Sequence, residues 1–213
     1  MTGLVRKATL ITAVGLLAGT AAMAGVPSAT TSTQPTGIAL VGQTAGTPDG
    51  TSFGAAAYTI RDASSNPVPG STVIMNFAAC TDVKLCSITQ PVSMSVNCAA
   101  KTVTGVTDAA GLVTFRVVGG GNLAGVHTTA PCVSVTADGV PLNTVRAATF
   151  DMNGSSGVTL GDITLAKNDF TFNPTFTRSD FNKNGAVTLA DITVIKVVFS
   201  AGGSAASCGT YCP

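Results

Sequence analysis

The chain contains no glutamate and no tryptophan, one histidine (His127) and two tyrosines (Tyr58 and Tyr211). A glycosidase-type pair of carboxylates, one held protonated beside one ionised, would therefore come from Asp49, Asp62, Asp82, Asp108 and Asp138. Most of these sit in turn sequences, and the remaining aspartates fall in or beside a C-terminal repeat. Nucleophilic catalysis wants a base beside the nucleophile, most often histidine. His127 lies in a glycine-rich stretch that reads as a solvated loop, and no G-x-S-x-G elbow occurs. Without tryptophan and with two tyrosines, the aromatic platform that stacks on sugar rings is hard to build. Gly119-Gly120-Gly121 is not followed by the lysine of a phosphate loop. Charged residues make up only 10% of the chain, and the net charge of +1 becomes −1 once Arg6 and Lys7 are removed (+1 − 2). Neither nucleic acid nor an anionic membrane surface is an implied partner, and no small-molecule substrate is indicated.

Long apolar runs are missing apart from Ala8 to Ala22, which is too short and too rich in small residues for a confident membrane span. Arg6 and Lys7 precede that run, and Ala22-Met23-Ala24 closes it. This is the order of a secretory signal, with residues 1–24 cleaved or retained as an anchor. The expected location is secreted, extracellular or at the cell surface, with no membrane span after signal cleavage. Cys80, Cys86, Cys98, Cys132, Cys208 and Cys212 then suggest disulfides. Sequence leaves the pairing open among the 15 possibilities that six cysteines allow; the expected set is Cys208 with Cys212, Cys80 with Cys86, and Cys98 with Cys132. Zinc is disfavoured, because no C-x-x-C occurs and there is one histidine.

A chain of 213 residues permits one or two domains. Residues 25–36 are Ser/Thr/Pro-rich, and Val26 to Gln34 reads as a flexible or extended arm available for pairing. Between 37 and 150, short alternating runs predict strands at Gly37–Val41, Gly54–Arg61, Ser71–Phe77, Val92–Asn97, Thr102–Thr107, Leu112–Val118, Cys132–Ala137 and Asn143–Phe150. Turn chemistry separates them at Asn66-Pro67-Val68-Pro69-Gly70, Asp108-Ala109-Ala110-Gly111 and Asp138-Gly139. The expected fold class is mainly β, an antiparallel β-sandwich. Cys80 to Cys98 is expected to hold a disulfide-pinned loop, and Gly119 to Thr129 to be mobile or packed against a neighbour.

The most informative stretch is repeated. Residues 151–164 superpose without a gap on 180–193, at an offset of 180 − 151 = 29, so the repeat is a unit of structure. Each copy offers oxygen donors at positions 1, 3, 5 and 12, a backbone carbonyl at 7 and a hydroxyl at 9. That is how a loop wraps Ca²⁺, which takes about six to eight oxygens. The second copy supplies Asp180, Asn182, Asn184, the Ala186 carbonyl, Thr188 and Asp191, with Gly185 at position 6 for the tight turn. The first supplies Asp151, Asn153, Ser155, the Gly157 carbonyl, Thr159 and Asp162. Its glycine has moved to position 7, so it is expected to bind more weakly or to hold its shape without metal. The competing reading takes both segments as Asx turns and helix N-caps. Apolar residues follow each loop at helical spacing, Leu160, Ile163, Ala166, Phe170 and Leu189, Ile192, Ile195, Phe199. These stripes predict two short helices packed on each other.

Two resemblances follow from these motifs. The N-P-V-P-G turn at 66–70 and the T-D-x-x-G turn leading into Val113-Thr114-Phe115 resemble hallmark segments of bacterial immunoglobulin-like domains of the invasin and intimin type. They imply an immunoglobulin-like sandwich over 37–150 and carry no site residues. The doubled loop-helix unit at 151–200, without the leading helix of an EF-hand, resembles a dockerin domain. The resemblance implies that the calcium ligands are the twelve positions just named. Cellulosomal dockerins usually place Ser or Thr at positions 10 and 11, where this chain has Leu160-Gly161 and Leu189-Ala190; the recognition residues do not carry over. Residues 201–213 are left as a cysteine-containing tail. With no linker before Asp151, metal binding is expected to fix the angle between sandwich and repeat. The functional expectation is a non-catalytic calcium-binding protein, structural or adhesive, making contacts with a protein partner or with itself. The alternatives are a filament subunit whose arm pairs with the next copy's open sheet edge, or a dockerin docking on a cohesin-bearing scaffold.

Overall fold

Alternation between inward and outward side chains shapes most of the strands, the period expected of a half-buried strand. The computed structural model describes residues 25–41, 53–87, 93–155, 157–203, 208 and 210–213; residues 1–24, read above as a secretory signal, and Asp49 lie outside them. Among the described residues the strands are β1 (Gly37–Leu40), β2 (Ala56–Thr59), β3 (Thr72–Asn76), β4 (Val83–Leu85), β5 (Ser95–Asn97), β6 (Thr102–Val106), β7 (Leu112–Phe115), β8 (Gly119–Gly121), β9 (Val133–Ala137) and β10 (Val140–Thr149). Helices α1 (Leu160–Phe172) and α2 (Leu189–Val198) follow, with a 3-10 turn at Thr177–Ser179 between them.

The main sheet has the order β1-β10-β9-β3-β6-β5, and β2-β7 and β4-β8 form two-stranded ribbons. The turns fall where their chemistry predicts. Asp62 Oδ1 accepts from the Ser64 and Asn66 amides, and Asp108 Oδ1 from those of Ala110 and Leu112. Asp138 and Gly139, both at positive φ, make the two-residue hairpin turn joining β9 to β10. Of the strand predicted over Val92–Asn97, Ser95–Asn97 is a strand and Ser93 and Met94 are not, while Val92 lies outside the described residues.

One pairing departs from the antiparallel expectation. The first and last strands run parallel, from Gly37 opposite Arg146 to Leu40 opposite Thr149. A parallel pair needs a long crossover, and here the rest of the β region supplies it. β1 is buried along its whole length. Ile38 and Leu40 enter a core shared with Tyr58, Val73, Met75, Phe115, Val135 and Ala147. Ala39 and Val41 enter a second core with Ala148, Phe150, Met152, Phe181, Ile192 and Ile195. The inward residues of the β2-β7 ribbon thus cover one face of the β1-β10 pair, and the helices cover the other. Burial on both faces is the usual setting of parallel strands.

Several expectations are corrected. The arm is not free: Ser28 donates its amide to Arg61 O, Thr31 its hydroxyl to Asp62 O, and Thr33 exchanges backbone hydrogen bonds with Thr59. Of the two expectations for the glycine-rich stretch, packing against a neighbour holds at Gly119–Gly121, a buried strand. A Cβ at Gly121 would overlap Met152 O, and one at Gly119 would press on Leu40 and Lys84 O, so only glycine allows so close an approach. Leu160 and Leu189 are each 68% exposed and do not belong to the buried stripes. They are the first helical residues, and the inward place at that level is taken by Val158 and Val187 of the preceding loops.

The disulfides join Cys80 to Cys132, Cys86 to Cys208 and Cys98 to Cys212, not the sequence neighbours. β4 runs between Cys80 and Cys86, so the two thiols open onto different parts of the fold. The tail lies along β4: Cys212 donates its amide to Leu85 O, Ser87 donates its amide to Thr210 O, and Tyr211 pairs with Cys86. Cys208 and Cys212 therefore reach different partners. Non-reducing peptide mapping should recover these three pairs, and any fragment joining Cys80 to Cys86 would contradict the arrangement. Phe181→Ala removes a ring stacked 5.0 Å from Phe150 in the second core. It should cost about 3–5 kcal/mol in a single unfolding transition followed by both helix and sheet signals. Loss of the helix signal alone would contradict a shared core.

Candidate metal centre

β10 ends at Thr149, and its continuation delivers Phe150 to the second core and Asp151 to the start of the first loop. The residue at position 2 of each loop, Met152 and Phe181, is buried in that core. Both loops are thus docked on the sheet by the same side-chain position, and position 8 (Val158, Val187) is buried as well.

The two loops close through one hydrogen-bond pattern. In the first, the Ser155 amide donates to Asp151 Oδ1 at 2.9 Å and Asn153 Oδ1 at 2.8 Å. The Asn153 amide donates to Asp162 Oδ1, and the Thr159 amide and hydroxyl donate to Asp162 Oδ2. In the second, the Asn184 amide donates to Asp180 Oδ1 at 3.0 Å and Asn182 Oδ1 at 3.1 Å. The Asn182 amide donates to Asp191 Oδ1, and the Thr188 amide and hydroxyl donate to Asp191 Oδ2. The last carboxylate of each loop also bonds back to the residue preceding its helix, as in a capping box. The hydroxyls at position 9 are therefore turned to Asp162 and Asp191.

The loops differ at the turn. Gly185, at φ +98°, donates its amide to Asp180 Oδ2, and the Ala186 amide donates to Asn184 Oδ1. In the first loop Gly157 donates to Asp151 Oδ2 at 3.2 Å, and position 6, Ser156, lies outside the described residues. Position 4 is left-handed in both copies, Gly154 at φ +70° and Lys183 at φ +65°. Lys183 tolerates that strain because its ammonium donates to Phe53 O and its carbonyl accepts from the Thr36 hydroxyl.

Asp151, Asp162 and Asp191 are fully buried, and Asp180 is 2% exposed. Burial pushes the Asp180 carboxyl above its ordinary value of 3.8, the Gly185 and Asn184 amides pull it back, and the charge of Asp191 adds to the rise. Arg146 acts on Asp180 only through its field, while its guanidinium donates to Thr129 O. Another buried carboxylate, Asp169, shows what full compensation looks like: Arg178 grips it with two hydrogen bonds of 2.7 Å, and the Ser179 hydroxyl adds a third. Two buried like charges are a standing cost unless a cation joins them, and the chemistry of this donor set suits a hard divalent ion. Among the described residues no three His, Cys, Asp or Glu side chains converge. Each loop carries two buried carboxylates, to which backbone amides and the position-9 hydroxyl donate.

The other candidates do not gather into a site. Asp62, Asp108 and Asp138 serve turns, and Asp82 is buried against the amide and hydroxyl of Thr128. His127 is not the solvated residue expected: its ring lies 4.7 Å from that of Phe176, with Nδ1 buried and without a hydrogen-bond partner. One contact escapes the repeat pattern altogether, the Tyr211 hydroxyl donating to Asp151 Oδ2. The two residues are 60 apart in sequence, and nothing in the motif signals it.

Comparison with protein-family models, with curated proteins and with solved structures gives no match.

Because folding raises the Asp180 value, the metal-free folded loop holds that proton more tightly than the unfolded chain. This contribution is complete below pH 3.8 and is lost as the pH rises through the folded value. With chelator present, Asp180→Asn should gain stability over the parent as the pH rises from 3.8 to neutrality, and Ca²⁺ should abolish the gain. A stability difference that stays flat with pH under chelator would contradict the burial argument.

Proposed function

We propose that this chain is an exported, non-catalytic protein whose C-terminal repeat binds Ca²⁺ and thereby completes a scaffold for contacts with a protein partner or with further copies of itself. The observation that carries the reading is the duplicated loop. At equivalent positions, each copy buries its first and last aspartate and arranges the same amides around them. Asp180, Asn182, Asn184, the Ala186 carbonyl, Thr188 and Asp191 would hold one ion. Asp151, Asn153, Ser155, the Gly157 carbonyl, Thr159 and Asp162 would hold a second, weaker one. Calcium would add positive charge between the first and last carboxylates of each loop.

Export is supported by three disulfides, which persist in oxidising surroundings. No described helix is long and apolar enough to cross a membrane. The β region is read as a sandwich of the immunoglobulin-like kind, with the β2-β7 ribbon facing the main sheet, and the repeat as a dockerin-like unit. The contact-making scaffold is favoured over a filament joined by the N-terminal arm, because that arm is already hydrogen-bonded to its own chain.

Extracellular calcium modules need dissociation constants of only about 10⁻⁴–10⁻³ M. At 100 times that constant, an ion adds about 2.7 kcal/mol to folding. Since the helices share a core with β1 and β10, the test uses the whole oxidised chain. Calorimetric titration should show Ca²⁺ binding in the parent. Asp180→Ala should remove the tighter site, and Asp151→Ala should have the smaller effect. Equal losses would contradict the ranking of the loops, and no binding by the parent would refute the reading.

A further inference from the structure

The two loops are near copies, but only the first is touched from outside the repeat by a tyrosine. Tyr211 stands between Cys208, bonded to Cys86, and Cys212, bonded to Cys98, on a tail aligned along β4. From there its hydroxyl donates to Asp151 Oδ2, the atom that also accepts the Gly157 amide. No equivalent exists at Asp180, because the only other tyrosine, Tyr58, donates to Asn143. The glycines of β8 make room for the contact: a Cβ at Gly120 would come within 2.5 Å of the Tyr211 hydroxyl and 3.0 Å of Asp151 Oδ2. The Gly121 amide holds Asp151 O from the same side at 2.6 Å.

We propose that Tyr211 is a positioning residue for the first loop: its hydroxyl orients the Asp151 carboxylate for a divalent cation, so that this loop's affinity depends on the disulfide-held C-terminal tail. The inference rests on the calcium reading above. The first loop lacks glycine at position 6 and carries only a serine at position 5, so its backbone is less committed to the ligating shape. A hydroxyl-to-carboxylate hydrogen bond is charge-assisted and about twice as strong as a neutral one. A donor fixed from outside the loop holds the ligand in place before the ion arrives. Removing such outer partners typically costs about 10–100-fold in metal affinity.

The test is Ca²⁺ titration of the full oxidised chain as parent, Tyr211→Phe and Gly120→Ala, each also in an Asp180→Ala background that isolates the first loop. Tyr211→Phe should weaken the first loop by about 10–100-fold and leave the second unchanged. Gly120→Ala, which displaces the hydroxyl without altering the tyrosine, should act in the same direction. In protein labelled at tyrosine Cζ, the Tyr211 signal should shift as the first loop fills while the Tyr58 signal stays. A purely packing role for the ring would not produce that shift. The proposal is overturned if Tyr211→Phe binds at both loops like the parent. It is also overturned if the parent takes up one ion that Asp180→Ala abolishes, which leaves the second loop's calcium reading standing. If the parent takes up none, both fall together.

Discussion

β1 and β10 lie side by side with an apolar core on each face, and the placement of helices α1 and α2 follows from that double burial. One face needs the β2-β7 ribbon and the other needs the helices, so the C-terminal repeat is a structural wall of the sheet. Burying an apolar side chain is worth about 1.5–3 kcal/mol. Phe150, Met152, Phe181 and Ile195, all at most 1% exposed, therefore anchor the repeat more firmly than a linker could. The angle between sheet and repeat is set by this packing.

Inside the loops the constraint is electrostatic. Docking each loop through its second residue places the first residue, Asp151 or Asp180, out of contact with bulk water. The last residue, Asp162 or Asp191, is drawn in by the helix that follows. Backbone amides satisfy the carboxylates as hydrogen-bond acceptors, which is why the loops are shaped as Asx turns and caps. They supply only part of the charge. The contrast is with Asp169, whose carboxylate is neutralised by the Arg178 guanidinium.

Local patterns in the sequence carried much of this. Period-two alternation located the half-buried strands, and Asp108-Ala109-Ala110-Gly111 and Asp138-Gly139 located turns, because a turn is decided by adjacent residues. The 29-residue offset placed both loops and both helices. What was not legible is long-range. The parallel β1-β10 pair, the burial of Gly119–Gly121 against Met152, and the Tyr211–Asp151 contact each join segments about 30 or more residues apart. The cysteine pairing failed for the same reason: nearness in sequence is a poor guide once a strand such as β4 intervenes. Leu160 and Leu189 were misassigned because helical periodicity cannot tell where the loop has already filled the inward position.

Anomalous diffraction from crystals of the oxidised protein grown with Ca²⁺ tests the account most directly. An ion should appear in the second loop at about 2.3–2.6 Å from oxygens of Asp180, Asn182, Asn184, Ala186 and Asp191. Loops without an anomalous peak, with Asp180 and Asp191 bonded only to amides and water at millimolar calcium, would contradict it.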